Sequence, residues 1–359
     1  MNATRARLLL LLVFLSACTQ PDLNARLSAY FQKEFPDQEP GVAVLVMKDT
    51  AVIFSGGFGL ANITTREAIT PNTLFNIGSI SKTFVSNTIL QLQDEGKLSV
   101  EDSLYKYFPD FKHKEIAQRV KIKHLLTHTS GLPDVRPVQQ DSVFYLTAND
   151  AENWYPITQA DSLEFVPGTK YNYSNPSFNA LALIIEQVTG NKWQEVVADR
   201  TFKPAGMSTS TITDGAHPRS GVSHGYSKIR GAWTEDDYGE EPTFCAAGNG
   251  GVWSSVNELR LYELALRNGN ILKPALHAEA STIKTFPGWS TDSPPFIGWS
   301  WFIGQMPDGR KTVGHTGSQG GFYANYVTLP EEKLLLVILG NRPHDRERIA
   351  SEVLDLLAR

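Results

Sequence analysis

The sequence predicts a mixed α/β protein of the α+β kind: an antiparallel sheet flanked by helices, plus a mostly helical lobe. Three observations predict it. Strand-like runs with turn signals gather at both ends of the 359-residue chain. Between them, over about residues 84–240, the apolar pattern changes to a helical one. A final helical run, about residues 345–357, closes the chain. Two β-rich ends around a helical middle form one sheet most simply when the ends meet, leaving a cleft beside the helical lobe as the default place for a site.

The N-terminus stands outside that fold. Arg5 and Arg7 precede the apolar residues 8–15, a run with the length of a signal-peptide core and too short to span a bilayer. It ends in Leu15-Ser16-Ala17-Cys18, which resembles the bacterial lipobox. That resemblance implies cleavage after residue 17, lipidation of Cys18 and a bacterial cell-envelope location outside the cytoplasm, with the membrane as a partner. Each buried methylene of such an anchor adds about 0.8 kcal/mol. Residues 18–40 are then a lipidated tether and first helix, and 41–359 one domain. Its α/β lobe is expected over about 23–83 and 241–359, its helical lobe over about 84–240.

The elements follow in order. Leu23, Leu27, Tyr30 and Phe31 recur at helical spacing. Residues 42–47 and 52–54 flank Lys48-Asp49-Thr50 and read as a β-hairpin. A strand over 74–77 and a helix over 82–94 follow. Residues 177–189 are apolar and stop at Gly190, a helix C-cap signal. Ser255-Val-Asn-Glu258 has the capping-box pattern and opens a helix ending near Gly269. Strands are expected over 297–304, 311–315, 321–329 and 333–339. Phe144, Tyr145, Trp154, Tyr155 and Phe165, within residues 135–167, show little periodicity. They either line the cleft or tuck inward from a surface excursion.

Composition narrows the function classes. The chain is 41% hydrophobic and 20% charged, with no low-complexity run or repeat. Losing Arg5 and Arg7 with the leader takes the formal charge from −5 to −7, against nucleic-acid binding, which favours a basic face. With Cys18 lipidated, Cys245 is the remaining thiol, so stability rests on packing without an intrachain disulfide. No P-loop or dinucleotide fingerprint occurs, and neither a cofactor nor a metal is called for.

Three short patterns carry chemistry. Ser79-Ile-Ser-Lys82 has the S-x-x-K spacing, which on a helix brings the amine to the hydroxyl. A desolvated Lys can then take the serine proton. Alone the pattern is weak, since Ser103-Leu-Tyr-Lys106 and Ser281-Thr-Ile-Lys284 share it. Context separates Ser79: a strand and a glycine before, a helix after. Helix N-capping would also explain a serine there. Ser81 should point off the Ser79–Lys82 face. Tyr173-Ser-Asn175 offers a phenol for proton relay and an amide for a substrate carbonyl. Tyr323-Ala-Asn325 has the same spacing inside an expected strand, where a structural role fits better. His315-Thr316-Gly317 ends a strand.

Together these motifs resemble the serine β-lactamase and penicillin-binding-protein superfamily, in its class C, D,D-carboxypeptidase and esterase branch. Supporting stretches are residues 75–84, residues 124–133 and Pro167-Gly168, and the likeness runs from about Gly41 to Asn341. It implies a β-lactamase/transpeptidase-like fold and a serine hydrolase acting through a Ser79 acyl-enzyme. Lys82 and Tyr173 would share proton transfer, and the Ser79 and Ser318 amides would form the oxyanion hole, worth about 3–4 kcal/mol per donor. Asn175, His315, Thr316 and Gly317 would bind substrate. Many β-lactamases carry Lys where this chain has His315, and a His is largely neutral near pH 7. A peptide, amide or ester substrate is therefore expected, with weak β-lactam turnover at most.

Competing readings are a metal hydrolase, from His124 and His128 four apart, and an α/β-hydrolase, from Gly221-Val-Ser-His-Gly225. The first lacks H-E-x-x-H, and the second lacks an apolar strand before the match. A non-catalytic binding or sensory lipoprotein is a third, weakened by the presence of Ser79, Lys82 and Tyr173. The acidic run Glu235-Asp236-Asp237 with Glu240 and Glu241 either borders the cleft or is a solvated loop.

Overall fold

The computed structural model describes residues 22–138, 141, 143–213, 218, 220–235, 245–286 and 295–358. Cys18 with its preceding leader, and Asp236, Asp237, Glu240 and Glu241 of the acidic run, lie outside the described residues.

A seven-stranded antiparallel sheet organises the molecule. Its strands run in the order Phe296–Ile297, Phe302–Gln305, Lys311–Gln319, Phe322–Leu329, Leu334–Gly340, Val42–Lys48 and Ala51–Phe58. The two chain ends meet where Val42–Lys48 pairs with Leu334–Gly340, in register from Val42 opposite Gly340 to Lys48 opposite Leu334. These two strands are buried almost throughout because both faces of the sheet are covered. Side chains alternate between the faces. Val42, Val44 and Val46 enter one core with Leu27 and Phe31 of the first helix and Val353 of the last. Ala43, Leu45 and Met47 enter the larger core, shared with Phe84, Ile89 and Leu259.

The helices start and stop where side chains satisfy their ends. Asp22 accepts from the Ala25 amide and opens Leu23–Glu34. Asp345 accepts from the Arg348 amide and opens Arg346–Leu357. Gly190, at φ 73°, ends Asn175–Thr189 as expected from its freedom in the left-handed region. The Ser255 hydroxyl caps Val256–Arg267, but the capping box is half made. The Glu258 carboxylate instead accepts from the amides of Thr209 and Ser210 and the Ser210 hydroxyl, because that loop is a nearer set of donors.

One expectation changes. The continuous strand over 297–304 is broken at Gly298-Trp299-Ser300-Trp301, with Ser300 at φ 66°. There the backbone leaves the sheet to bond Ala280 and Leu126, and Trp299 and Trp301 turn into the core. Over 84–240 helices predominate among the described residues, as expected, and three short strands join them. Thr211–Ile212 pairs with Val252–Ser254, and Tyr226–Ile229 with Ala232–Glu235. Within residues 135–167, Trp154 packs on Phe108 and Phe111 inside the core, whereas Tyr155 is exposed. No helix among the described residues is long and apolar enough to cross a membrane.

Candidate active site

Ser79 stands at a junction. The short strand Phe75–Asn76 pairs with Val252–Ser254, and a 3₁₀ turn, Gly78–Ile80, leads into the helix Ser81–Asp94. Gly78 takes φ 51°, a region only glycine enters cheaply, and donates its amide to Asn76 Oδ1 at 2.8 Å. That kink leaves Ser79 half-buried at the helix entrance while Lys82, one turn on, is fully buried. The Lys82 amine donates to Ser79 Oγ at 3.0 Å and to the Asn249 carbonyl at 2.6 Å. It lies 5.2 Å from the centre of the Tyr173 ring and 5.6 Å from that of Phe178. Burial, and secondarily the Arg136 charge, hold the Lys82 amine well below its ordinary pKa. Ser81 faces away as expected: its hydroxyl accepts from the Val252 amide.

Tyr173 ends a loop just before the helix Asn175–Thr189. Ser174 caps that helix by accepting from the Ser177 amide, so Asn175 is its first residue rather than a loop residue. The Tyr173 ring stacks on His128, with centroids 4.3 Å apart and planes at 27°. His128 Nδ1 accepts from the Ser174 amide at 3.0 Å, which leaves the ring proton on Nε2. Buried beside Lys82, His128 stays neutral, its pKa lowered first by burial and then by the Lys82 charge.

His315, Thr316 and Gly317 lie on the strand Lys311–Gln319, which continues past them to Gln319. His315 is buried, with Nδ1 2.6 Å from the Thr316 carbonyl, so Nδ1 bears the proton and donates. Burial, with the Lys82 charge second, lowers its pKa to about 3. His315 is therefore neutral and provides no cation for a substrate carboxylate. Gly317 and Gly78 let the strand and the 3₁₀ turn touch. A methyl on Gly78 would lie 2.6 Å from Ser318 N, and one on Gly317 would lie 3.3 Å from Ser79 N. The Ser79 and Ser318 amides are thus brought to one place. From the other face of the sheet, Arg346 donates to the Gly317 carbonyl at 2.6 Å and holds the strand there.

The structure also brings in residues that the motifs did not include. Asn249 supplies its carbonyl from Gly248-Asn249-Gly250-Gly251, a glycine-rich run whose composition signals close backbone approach. Arg136 is buried, gripped by Asp134 and by Asn153. His128, named above only with His124 as a possible metal ligand, packs directly on Tyr173. No short pattern marks Arg136, and the stretch 124–133 that contains His128 does not say which side chain it meets.

The competing motifs dissolve. Gly221-Val-Ser-His-Gly225 is followed by the strand Tyr226–Ile229 instead of a helix, and Ser223 is buried against the Ala61 carbonyl. The helix carrying His124 ends at Leu126, so His128 does not share its face. His124 Nδ1 accepts from the Lys121 amide. Ser103 and Lys106 lie in another turn, and Lys106 pairs with Asp102. Asn325 Nδ2 binds the Arg346 carbonyl from within a strand.

A family model described as beta-lactamase matches residues 30–359. A penicillin-binding protein of Bacillus subtilis is 27% identical over 327 residues, 85% of this chain and 68% of that protein. A D-aminopeptidase of Brucella anthropi is 26% identical over 324 residues, 88% of this chain but only 59% of that one. Among solved structures, the octameric penicillin-binding protein homologue of Pyrococcus abyssi is 25% identical, with a TM-score of 0.78 over 93% of this chain and 76% of the other. The match over nearly the whole described fold, together with the Ser79–Lys82 geometry, shows that this chain belongs to the beta-lactamase family of serine hydrolases.

Proposed function

We propose that the protein hydrolyses amide or ester bonds through an acyl-enzyme on Ser79, in the manner of D,D-peptidases, D-aminopeptidases and related esterases. The observation that carries this reading is the fully buried Lys82 amine, 3.0 Å from Ser79 Oγ and depressed in pKa. Neutral, that amine can accept the Ser79 proton as Oγ attacks the carbonyl carbon. Negative charge on the carbonyl oxygen would develop between the Ser79 and Ser318 amides. The proton then passes, with Tyr173 as relay, to the departing amine or alcohol. Water, deprotonated by the same groups, breaks the ester to Ser79 and restores the enzyme. Asn175, at the positive end of its helix, is assigned to the substrate amide, and His315-Thr316-Gly317 to the edge along which the acyl chain lies.

Neutral His315 bears on substrate choice. Penicillins carry a carboxylate beside the scissile bond, and a cation at position 315 would help seat it, so we infer slow β-lactam turnover. The D-aminopeptidase relative is consistent with an amide substrate. The lipobox-like Leu15-Ser16-Ala17-Cys18 supports a lipid-anchored protein of the bacterial cell envelope, exposed outside the cytoplasm.

One experiment tests both readings. The full chain, expressed in a bacterium, is fractionated, and each fraction is mixed with a p-nitrophenyl ester or a penicillin and followed by intact mass. We expect an acyl adduct on the wild type in the membrane fraction and none on Ser79→Ala. The adduct should move to the soluble fraction with Cys18→Ser. A long-lived penicilloyl adduct indicates a peptidase-like enzyme; rapid release with product indicates a β-lactamase. An adduct surviving in Ser79→Ala overturns the nucleophile, and a membrane-bound Cys18→Ser overturns the anchor.

A further inference from the structure

Lys82 has a second support, built from a different part of the chain. The Asn249 carbonyl that accepts from its amine belongs to a glycine-rich strap, residues 245–251, running past the helix Asn175–Thr189. Beside Asn249, the Gly248 amide donates to Asp150 Oδ1 at 2.8 Å. The same oxygen accepts from Asn179 Nδ2 at 2.8 Å, which ties the strap to that helix. Gly248 is confined there: a methyl on it would lie 2.7 Å from both the Phe178 carbonyl and Ala182 Cβ. Asp150 is the first residue of the helix Asp150–Thr158 and is 7% exposed, so its carboxyl is a built internal anchor. Three residues on, Asn153 Oδ1 accepts from Arg136, the cation whose field depresses Lys82.

We propose that Asp150 is a positioning residue for the reaction: through Gly248 it fixes the Asn249 carbonyl that holds the Lys82 amine against Ser79. To take the Ser79 proton the neutral amine must accept from that hydroxyl, so its N–H groups need other acceptors to keep the lone pair aimed there, and a backbone carbonyl can serve only if its peptide cannot rotate. The Gly248 amide belongs to the Ala247–Gly248 peptide, whose carbonyl accepts from the Gly250 amide at 3.0 Å, and that amide shares one peptide with the Asn249 carbonyl. The Ala247 carbonyl also accepts from the Gly251 amide at 2.8 Å, so the turn closes on the peptide that Asp150 anchors, and a glycine-rich backbone that would otherwise rotate freely is held there.

The anchor is also titratable. Burial raises the Asp150 carboxyl to about 7, opposed by its bonds from Asn179 and Gly248 and by Trp193, and aided by the neighbouring charge of Glu186. Lys192 pairs with that Glu186 from farther out. As pH falls through neutrality Asp150 takes up a proton, its oxygen becomes a poorer acceptor, and the strap loosens. The inference rests on the Ser79–Lys82 reading above.

The test reads Ser79 reactivity, independent of substrate. The rate of labelling by a fluorophosphonate is measured from pH 5.5 to 9 in the full chain, Asp150→Asn, Asp150→Ala and Glu186→Gln. Asparagine keeps one acceptor oxygen without charge. We expect it to lower the rate severalfold above pH 8 and to leave only the acid limb set by protonation of Lys82. Alanine removes the acceptor and should cost about tenfold or more, as misplacement of reacting groups does. Glu186→Gln, which leaves the Gly248 bond in place, should keep the high-pH rate and shift the limb downward. If Asp150→Ala does not fold, Asp150→Asn decides. A wild-type rate and limb in Asp150→Asn overturn the proposal while leaving Ser79 as nucleophile. A wild type unlabelled at Ser79 overturns the acyl-enzyme reading and this inference with it.

Discussion

Lys82 is surrounded by groups that pull in opposite directions. The Asn249 carbonyl and the faces of Tyr173 and Phe178 favour an ammonium, whereas complete burial and the Arg136 charge favour a neutral amine. No carboxylate bonds to Lys82 among the described residues, so desolvation dominates and the lone pair is available. Lys82→Met keeps the unbranched chain and removes the proposed base. Its acyl-transfer burst with a p-nitrophenyl ester should fall by about 100-fold or more; a burst rate near wild type would assign the base elsewhere. Ser79 and Lys82 were legible because three residues of one helical turn suffice to bring them together. His128 was not, since its stacking on Tyr173 links positions 45 residues apart through a fold that no local pattern encodes.

At the scale of elements, the site exists because a 3₁₀ turn and a sheet strand touch backbone to backbone. Two glycines permit it, Gly78 on the turn and Gly317 on the strand. Gly78→Ala would put a methyl 2.6 Å from Ser318 N in a backbone region costly for alanine, driving the two amides apart. Steady-state ester hydrolysis should show kcat reduced by about 100-fold, as on loss of one oxyanion donor, with KM little changed. Retention of kcat would mean that the two amides do not jointly bind the developing charge. Elements were legible where end signals were local: Gly190 and Asp345 stop and start helices as composition suggests. The break at Gly298–Trp301 was hidden because an apolar run satisfies a strand pattern equally well whether or not it leaves the sheet.

Across the whole molecule, burial makes histidines an acid-sensitive feature. His124 and His344 are lowered to about 4 and His315 to about 3, and His128 is pushed well down, each chiefly by burial. Unfolded, these rings protonate near 6.5, so between that pH and their native values the unfolded state binds more protons. Their contribution is complete above pH 6.5 and is lost as pH falls. Asp150 works the other way, binding a proton in the native state between 3.8 and about 7, but it is one group against these four and His277, which burial also lowers. Urea unfolding should therefore show stability dropping steeply from pH 6.5 to 4. His315→Gln should flatten that slope by about 1.4 kcal/mol per pH unit. An unchanged slope would mean that His315 titrates normally in the folded protein.

By itself the sequence determined the kind of protein: a sheet made from both chain ends, a helical middle, and a serine–lysine–tyrosine set in the order of a known family. These features are carried by periodicity, caps and motif spacing, all properties of neighbouring residues. Only the tertiary structure decided what surrounds the lysine: the Asn249 carbonyl 167 residues away, the Arg136 charge, the neutral His315 and the Asp150 anchor. The physical reason is that protonation state and aim depend on burial and on distant partners. Those are set when the two lobes pack together, whatever residue stands next in the chain.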